Sequence, residues 1–249
     1  MKIAIGFIVA LMVGLTGVGG GSFTTPALVL IAGLSGAEAV GTALAFSTAV
    51  RLTAAPFYIA GKQVHLRYLW YMLLGAVPGL LAGTYLLARF NVKRWNPLTL
   101  VLIGATLILS SALTLIYRNA QRKTWQNSTP WLPWLTLPIG IETGFSSAGA
   151  GALGTILLIN CSELTAAQVV GTDLLFGIVL AAAGSIFHLE LGSISGPTLG
   201  YLLLGGIPGV LIGCVLSPRI PSSKLKPVII AITLLLGLQL VWSGMRLAR

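Results

Sequence analysis

Residues 17–26 read GVGGGSFTTP, and they lie two residues after an apolar run, KIAIGFIVALMVG, at residues 2–14. Each glycine inside a helix costs roughly 1 kcal/mol relative to alanine. Three in succession therefore predict that the helix is interrupted here, and three hydroxyl groups and a proline come immediately after the interruption. Because irregular backbone at membrane depth needs protein or water to satisfy it, such a break indicates a special site.

The composition is that of a membrane protein. Of the 249 residues 56% are hydrophobic and 8% are charged, with a mean hydropathy of +0.95, whereas a soluble domain carries about 25% charged residues. The net charge of +10 comes from short basic clusters between apolar runs, which is typical of loops and headgroup anchors. The pattern predicts a lipid bilayer as partner and no nucleic acid. The two cysteines lack the spacing of a metal site, and we expect no metal and no cofactor.

The chain repeats itself at an offset of 130 residues. The segment VGT at 40–42 falls on VGT at 170–172, and PG at 78–79 falls on PG at 208–209. One register that holds through many glycines and prolines indicates two homologous halves. We divide the chain into a first transmembrane repeat, a polar linker and a second transmembrane repeat, at residues 1–117, 118–130 and 131–249.

Each half divides into two short and three long apolar elements. Only the long ones match the roughly 20 residues that span a bilayer, so each half is predicted as a Gly-broken helical hairpin plus three spanning helices. Three spans and a returning hairpin give the halves opposite orientations, as in inverted repeats. The equivalent loops 89–94 and 219–226 are both basic, so charge leaves the absolute topology open; we expect a cytoplasmic linker. The elements are 3–16, 22–34, 38–60, 66–88, 97–117, 131–143, 152–161, 167–189, 196–217 and 226–245.

The second half carries its own break, GFSSAGAGALGT, at residues 144–155. If a half-helix follows each break, its first N–H groups lack partners and form the positive end of a dipole. Two such ends converging near the midplane would bind an anion. The alternative is close helix packing, for which membrane helices use small residues routinely. The candidate substrate-binding residues of the two breaks are Gly19, Gly20, Gly21, Ser22, Thr24, Thr25, Ser146, Ser147, Gly149 and Gly151.

Ionisable residues inside spans are functional candidates, because a charge at the bilayer centre costs at least about 2.5–3.5 kcal/mol. Arg51 lies in the middle of a span, and we expect it to bind a substrate anion or to pair with a buried carboxylate. Asp173 and Glu142 are candidates for coupling to a proton or another ion, with a structural ion pair as the alternative. Thr42 and Thr172 are predicted to line the site; helix back-bonding is their alternative.

Five motifs in order carry a family resemblance: GVGGGSFTTPAL, AVGTALAFS, GAVPGLLAG, VVGTDLLF and GGIPGVLIG. Together they resemble the sulfite exporter TauE/SafE family, also called the 4-toluenesulfonate uptake permeases. The resemblance implies a multi-pass secondary transporter of the bacterial inner membrane that moves a small sulfur-containing or organic anion of the sulfite, sulfonate or sulfoacetate class. The second break lacks the unbroken glycine run and the proline of the first, so unequal half-sites are expected.

The first hypothesis is therefore an anion carrier that works by alternating access of the two repeats around a central site. An anion channel of the same fold is the alternative. An intramembrane serine hydrolase using Ser146 or Ser147 with His188 is a third option that we disfavour, since the repeat already explains both serines, and we expect no enzyme. The sequence leaves open the substrate, the direction of transport, the coupling ion and the oligomeric state, a homodimer included.

Overall fold

The computed structural model describes residues 1–16, 20–59, 64–90, 96–118, 129–217 and 222–247, and within these ranges the chain is helical without strands. All ten predicted elements are confirmed as α-helices, and their ends shift by at most four residues, as between 22–34 and Gly21–Leu30. The helices are α1 Lys2–Thr16, α2 Gly21–Leu30, α3 Gly36–Ile59, α4 Leu66–Phe90, α5 Asn96–Arg118, α6 Leu132–Ser146, α7 Ala152–Cys161, α8 Ala166–Glu190, α9 Gly196–Leu216 and α10 Ser222–Leu247.

Five of the described helices are long and apolar enough to cross a membrane, namely α4, α5, α8, α9 and α10. Helix α3 has comparable length at 24 residues, but it carries Glu38, Arg51 and several hydroxyl groups. The pairs α1–α2 and α6–α7 are short helices on either side of the two breaks. The all-α membrane architecture predicted from the sequence is thereby confirmed.

The two halves pack by exchanging helices. Helix α1 packs on α9 and, equivalently, α6 packs on α4, so the first helix of each half lies on the fourth helix of the other. Glycines make this packing close: a Cβ on Gly79 of α4 would overlap the carbonyl oxygen of Leu137 on α6, and one on Gly209 of α9 would meet the carbonyl oxygen of Phe7 on α1. The small-residue rows at 75–83 and 205–213 therefore serve close helix packing.

Two pairs of equivalent helices, α3–α8 and α5–α10, run antiparallel to each other. Gly41 near the start of α3 faces His188 near the end of α8, and Arg51 later in α3 faces Gly177 earlier in α8. Helices α5 and α10 meet in the same antiparallel sense. An inverted repeat requires this relation between equivalent helices, and the orientation of the halves in the bilayer stays a prediction.

The packing of α1 on α9 predicts that leucine substitutions at different glycines of α9 differ strongly in their effect on the melting temperature. Gly205→Leu should lower the melting temperature of the detergent-solubilised protein, because its Cβ would overlap the Ile3 carbonyl of α1 and overpacking costs about 1–3 kcal/mol. Gly200→Leu is the matched control, since nothing lies within 4 Å of a Cβ there. Equal melting temperatures for the two variants would contradict the α1–α9 packing.

Candidate functional site

The two glycine-rich breaks meet in the structure. Ser147 ends α6 in a left-handed conformation with φ of 61°, and its hydroxyl donates to the Gly21 carbonyl oxygen over 3.1 Å. The hydroxyl oxygens of Ser147 and Thr25 lie 2.6 Å apart. A Cβ on Gly21 would overlap the Ser147 carbonyl, so glycine is what allows the start of α2 to approach the end of α6. The sequence prediction that the breaks converge agrees with this contact.

Other hydroxyls of the breaks serve their own backbone. Thr24 donates to the Gly20 carbonyl over 2.8 Å, and Ser146 donates to the Glu142 carbonyl over 2.9 Å. Gly20 packs against α1, where its Cβ would lie 2.9 Å from methyl groups of Val9 and Val13. These residues fit the packing alternative in this conformation.

The remaining candidates in the breaks are glycines and one serine. Gly149 and Gly151 are buried and Ser22 is half-buried. Gly149 folds back on α6, where a Cβ would lie 2.8 Å from the Thr143 hydroxyl. Gly19 lies outside the described residues.

Arg51 is the buried cation at the crossing of α3 and α8. Its side chain is 2% exposed, and its Nη2 donates to the Ala150 carbonyl oxygen of the second break over 3.0 Å. The guanidinium packs against Gly177, where a Cβ would overlap Nη1. Nε and Nη1 are buried without a hydrogen bond. Arg51 therefore joins α3, α8 and the second break while two of its nitrogen atoms have donor capacity to spare.

Asp173 places a carboxylate at the first turn of α7, beside this cation. It is 2% exposed; Thr155 donates to its Oδ2 over 2.7 Å, and Oδ1 lies against Gly154. It attracts Arg51 electrostatically. The start of a helix favours negative charge through its dipole and its free N–H groups, so this carboxylate lies where the sequence predicts an anion.

Thr42 and Thr172 have equivalent structural contacts. The Thr42 hydroxyl accepts from the Ser195 N–H and the Thr172 hydroxyl accepts from the His65 N–H, both over 3.0 Å. Each threonine therefore holds the segment that enters the fourth helix of the other half. Nine residues of α3 also place Thr42 about 14 Å along the helix from Arg51, so the structure does not bring it to that site.

This arrangement predicts a stability effect for Thr42→Val. The Ser195 N–H would lose its acceptor, which costs about 1–3 kcal/mol, and the Ser195 amide should exchange its hydrogen faster. Thr48→Val is the control, because the Thr48 hydroxyl bonds only within α3, to the Leu44 carbonyl. Unchanged Ser195 exchange together with lost anion binding in Thr42→Val would instead return Thr42 to the substrate site.

Glu142 lies on another side of the second break. Its carboxylate faces the Ser110 side chain of α5 and the Gly149 N–H. It lines a cavity between α5, α6 and α7 to which Arg51 does not contribute. The two coupling candidates thus differ: Asp173 belongs to the Arg51 site, and Glu142 does not.

The geometry does not assemble a serine hydrolase. His188 is buried, with Nε2 3.5 Å from the Gly144 carbonyl oxygen, and its Nδ1 makes no hydrogen bond. The hydrogen bonds of the Ser146 and Ser147 hydroxyls go to other groups and not to the ring, so the base that would activate a serine is not hydrogen-bonded to one in this structure. Within the described ranges, no three His, Cys, Asp or Glu side chains come close enough to hold a metal ion.

Sequence reasoning missed the residues that shape the Arg51 site from the other half: Ala150, Gly154, Thr155 and Gly177. Thr155 is the repeat equivalent of Thr25, so the offset contained a signal for it. No pattern pointed to Gly177, because only the packing of α3 on α8 shows which residue must be small for an arginine to fit.

Comparisons with known proteins agree on a membrane transporter. The family model for the sulfite exporter TauE/SafE matches residues 2–240. The chain is 31% identical over 250 residues to the probable membrane transporter protein YjnA of Bacillus subtilis (strain 168), covering 96% of this chain and 98% of that one. It is 21% identical over 242 residues to a probable membrane transporter protein of Haemophilus influenzae, covering 96% and 92%. No solved structure matches the chain.

Proposed function

We propose a transport activity from the premise that this chain belongs to the sulfite exporter TauE/SafE family, whose model spans nearly all of it. The chain is a multi-pass membrane protein of a transporter family. The proposal is a secondary transporter of the bacterial inner membrane that moves a small sulfur-containing or organic anion of the sulfite, sulfonate or sulfoacetate class. Its partners are that anion, the bilayer and a coupling proton or other ion.

The observation that carries the proposal is the environment of Arg51. A guanidinium that is 2% exposed, with Nε and Nη1 lacking hydrogen bonds, is costly unless an anion compensates it. Sulfite and sulfonate groups present several oxygen atoms, and arginine binds such groups through parallel, charge-assisted hydrogen bonds. The first turn of α7 adds a favourable dipole at the same place.

Asp173 supplies the resident negative charge of this site and therefore competes with the substrate. In the proposed cycle the anion takes the place of the carboxylate at Arg51 and at the start of α7. Asp173 would then either move or accept a proton, which keeps it among the coupling candidates.

Alternating access fits the packing of the helices. The exchanged pairs α1–α9 and α4–α6 are held by backbone-to-glycine contacts, and in the proposed cycle each pair moves as a rigid unit. The site lies where equivalent helices α3 and α8 cross. Movement of α1–α9 relative to α4–α6, two pairs that each contain one helix from either repeat, would open the site to alternate sides.

The test of the proposal is a thermal-shift screen of the purified protein with sulfite, sulfate, thiosulfate, short sulfonates and carboxylates, because a ligand of the native state raises apparent stability. Exchange of labelled sulfite by liposomes containing the protein then separates a carrier from a channel, since only a carrier shows saturable counterflow. Stabilisation by cations or neutral solutes, with none by any anion, would refute the proposal.

The proposal predicts that Asp173→Asn strengthens anion binding rather than weakening it. The amide keeps the shape but removes the competing charge, so the variant should bind the anion about tenfold more tightly, equivalent to about 1.4 kcal/mol. Titration of the thermal shift measures the change. If Asp173 serves only as a structural partner of Arg51, the same variant should lose stability and gain no affinity. Thr155→Val, which removes the 2.7 Å hydrogen bond to Asp173 together with the 2.9 Å bond of the same hydroxyl to the Gly151 carbonyl, should have a smaller effect in the same direction.

A further inference from the structure

A cavity of about 520 Å³ lies between α5, α6 and α7. It runs along α7 from Leu153, in the first turn, to Asn160 and Cys161 in the last turn, two residues before the exposed Glu163. Apolar side chains make up most of its wall, and its polar groups come from Thr106, Ser110, Glu142, Asn160 and Cys161. The cavity has room for several water molecules at about 30 Å³ each, and polar groups to hold them.

Glu142 is the charged side chain of this cavity. Its Oε1 is buried without a hydrogen bond, and the donors that face the carboxylate are the Ser110 side chain and the Gly149 N–H. No Lys or Arg lines the described cavity to balance an ionised carboxylate. A buried carboxylate without a cation can remove its charge by binding a proton.

The polar groups of this cavity are not repeated at the equivalent place between α10, α1 and α2. At the 130-residue offset Glu142 corresponds to Met12 and Asn160 corresponds to Leu30, while Ser110 corresponds to Leu240. The shared fold therefore does not need these groups. A role in binding explains why this cavity has them and the equivalent place between α10, α1 and α2 does not.

One peptide unit connects Glu142 to the anion site. Gly149 packs beside Glu142, since a Cβ on Gly149 would lie 3.4 Å from the Glu142 Cβ, with its N–H on the side of the carboxylate. The carbonyl oxygen of the next residue, Ala150, accepts the hydrogen bond of Arg51. An ionised Glu142 attracts the Gly149 N–H and favours this conformation of the break, whereas a neutral carboxyl group does so less strongly. Protonation at Glu142 can thus change the position of the carbonyl that holds Arg51.

We propose that Glu142 is the proton-binding site of this transporter, reached through the cavity between α5, α6 and α7 and coupled to the Arg51 anion site through the Gly149–Ala150 peptide. The step is a proton transfer from hydronium to the Glu142 carboxylate, which leaves one water molecule and a neutral carboxyl group. The inference rests on the proposed anion transport and specifies its coupling ion.

The other titratable groups near α6 lie at known positions or bond to partners other than Glu142. Cys161 of α7 lines the same cavity. His188 of α8 faces the Gly144 carbonyl of α6, and Arg51 of α3 bonds to Ala150 just after α6. On α4, Arg89 bonds to the exposed Tyr85 hydroxyl. Asp173 of α8 bonds to α7 through Thr155.

The first test needs no substrate. Dicyclohexylcarbodiimide is apolar and reacts with protonated carboxyl groups, so it should modify Glu142 in the purified protein, and more so in acidic than in alkaline buffer. Mass spectrometry of the peptide locates the label, Glu142→Gln abolishes it, and Cys161→Ala in the same cavity leaves it unchanged. A Glu142 peptide that stays unmodified in acidic buffer overturns the proposal.

The second test uses labelled sulfite in liposomes containing the protein. Glu142→Gln should retain sulfite counterflow and lose the extra accumulation that a pH gradient drives. Gradient-driven accumulation equal to that of the native chain would overturn the assignment of Glu142 and leave the anion transporter standing. Absence of both activities from the native chain, with its thermal-shift screen negative, would overturn anion transport and the coupling with it.

Discussion

Arg51→Ala is expected to remove the stabilisation by anions completely and to destabilise the protein without substrate as well. At an anion concentration of 1,000 times Kd the native chain should gain about 4 kcal/mol, and the variant should gain nothing. The substrate-free variant should also lose about 3–5 kcal/mol, because Asp173 would remain buried beside no cation. Thermal unfolding with and without sulfite measures both effects.

A second substitution separates the two effects. In Arg51→Ala with Asp173→Asn the uncompensated charge is gone, so most of the lost stability should return while anion binding stays absent. Arg89→Ala is the control for loss of a positive charge, because Arg89 is exposed and lies over the Tyr85 ring with its Cζ 5.3 Å from the centroid. Anion stabilisation that survives in Arg51→Ala would place the binding site elsewhere.

The fold was predictable because the apolar segments that become helices occur twice in the sequence, once in each repeat. Helix positions follow from apolar length, and the 130-residue offset checks each helix against its equivalent, so Lys2–Thr16 and Leu132–Ser146 agree residue for residue. The breaks were predictable since three glycines in succession are too costly inside one helix. Convergence of the breaks followed from the half-helix argument, and the Ser147–Gly21 contact agrees with it.

The site was predictable only in part, because hydrogen-bond direction is a tertiary property. Arg51 and Asp173 were detectable as charges in apolar spans. At the 130-residue offset, the position equivalent to each of them in the other repeat holds an alanine. The sequence could not reveal that Thr42 bonds to Ser195 across the repeats. It also could not reveal that Asp173 lies at the start of α7, since α8 and α7 must first pack together.

Substitution of Gly177, which has no side chain, should weaken anion binding nearly as much as loss of Arg51 itself. In Gly177→Ala the new methyl group would overlap Nη1 of Arg51, so the guanidinium must leave the Ala150 carbonyl and the anion site. We expect loss of most of the anion-induced thermal shift although every charge is present. Helix propensity cannot be the cause, because alanine is favoured over glycine by about 1 kcal/mol inside a helix.

The decisive measurement is the same substitution in the Arg51→Ala background. In that background the methyl group occupies the space that the guanidinium filled. Gly177→Ala should then stabilise the protein by about 1 kcal/mol in thermal unfolding, whereas it destabilises the chain that retains Arg51. Gly200→Ala on α9, which has open space around its Cβ, should show the same small gain in both backgrounds. If Gly177→Ala costs equal stability with and without Arg51, the α3–α8 crossing itself requires glycine, and the guanidinium is not held by it.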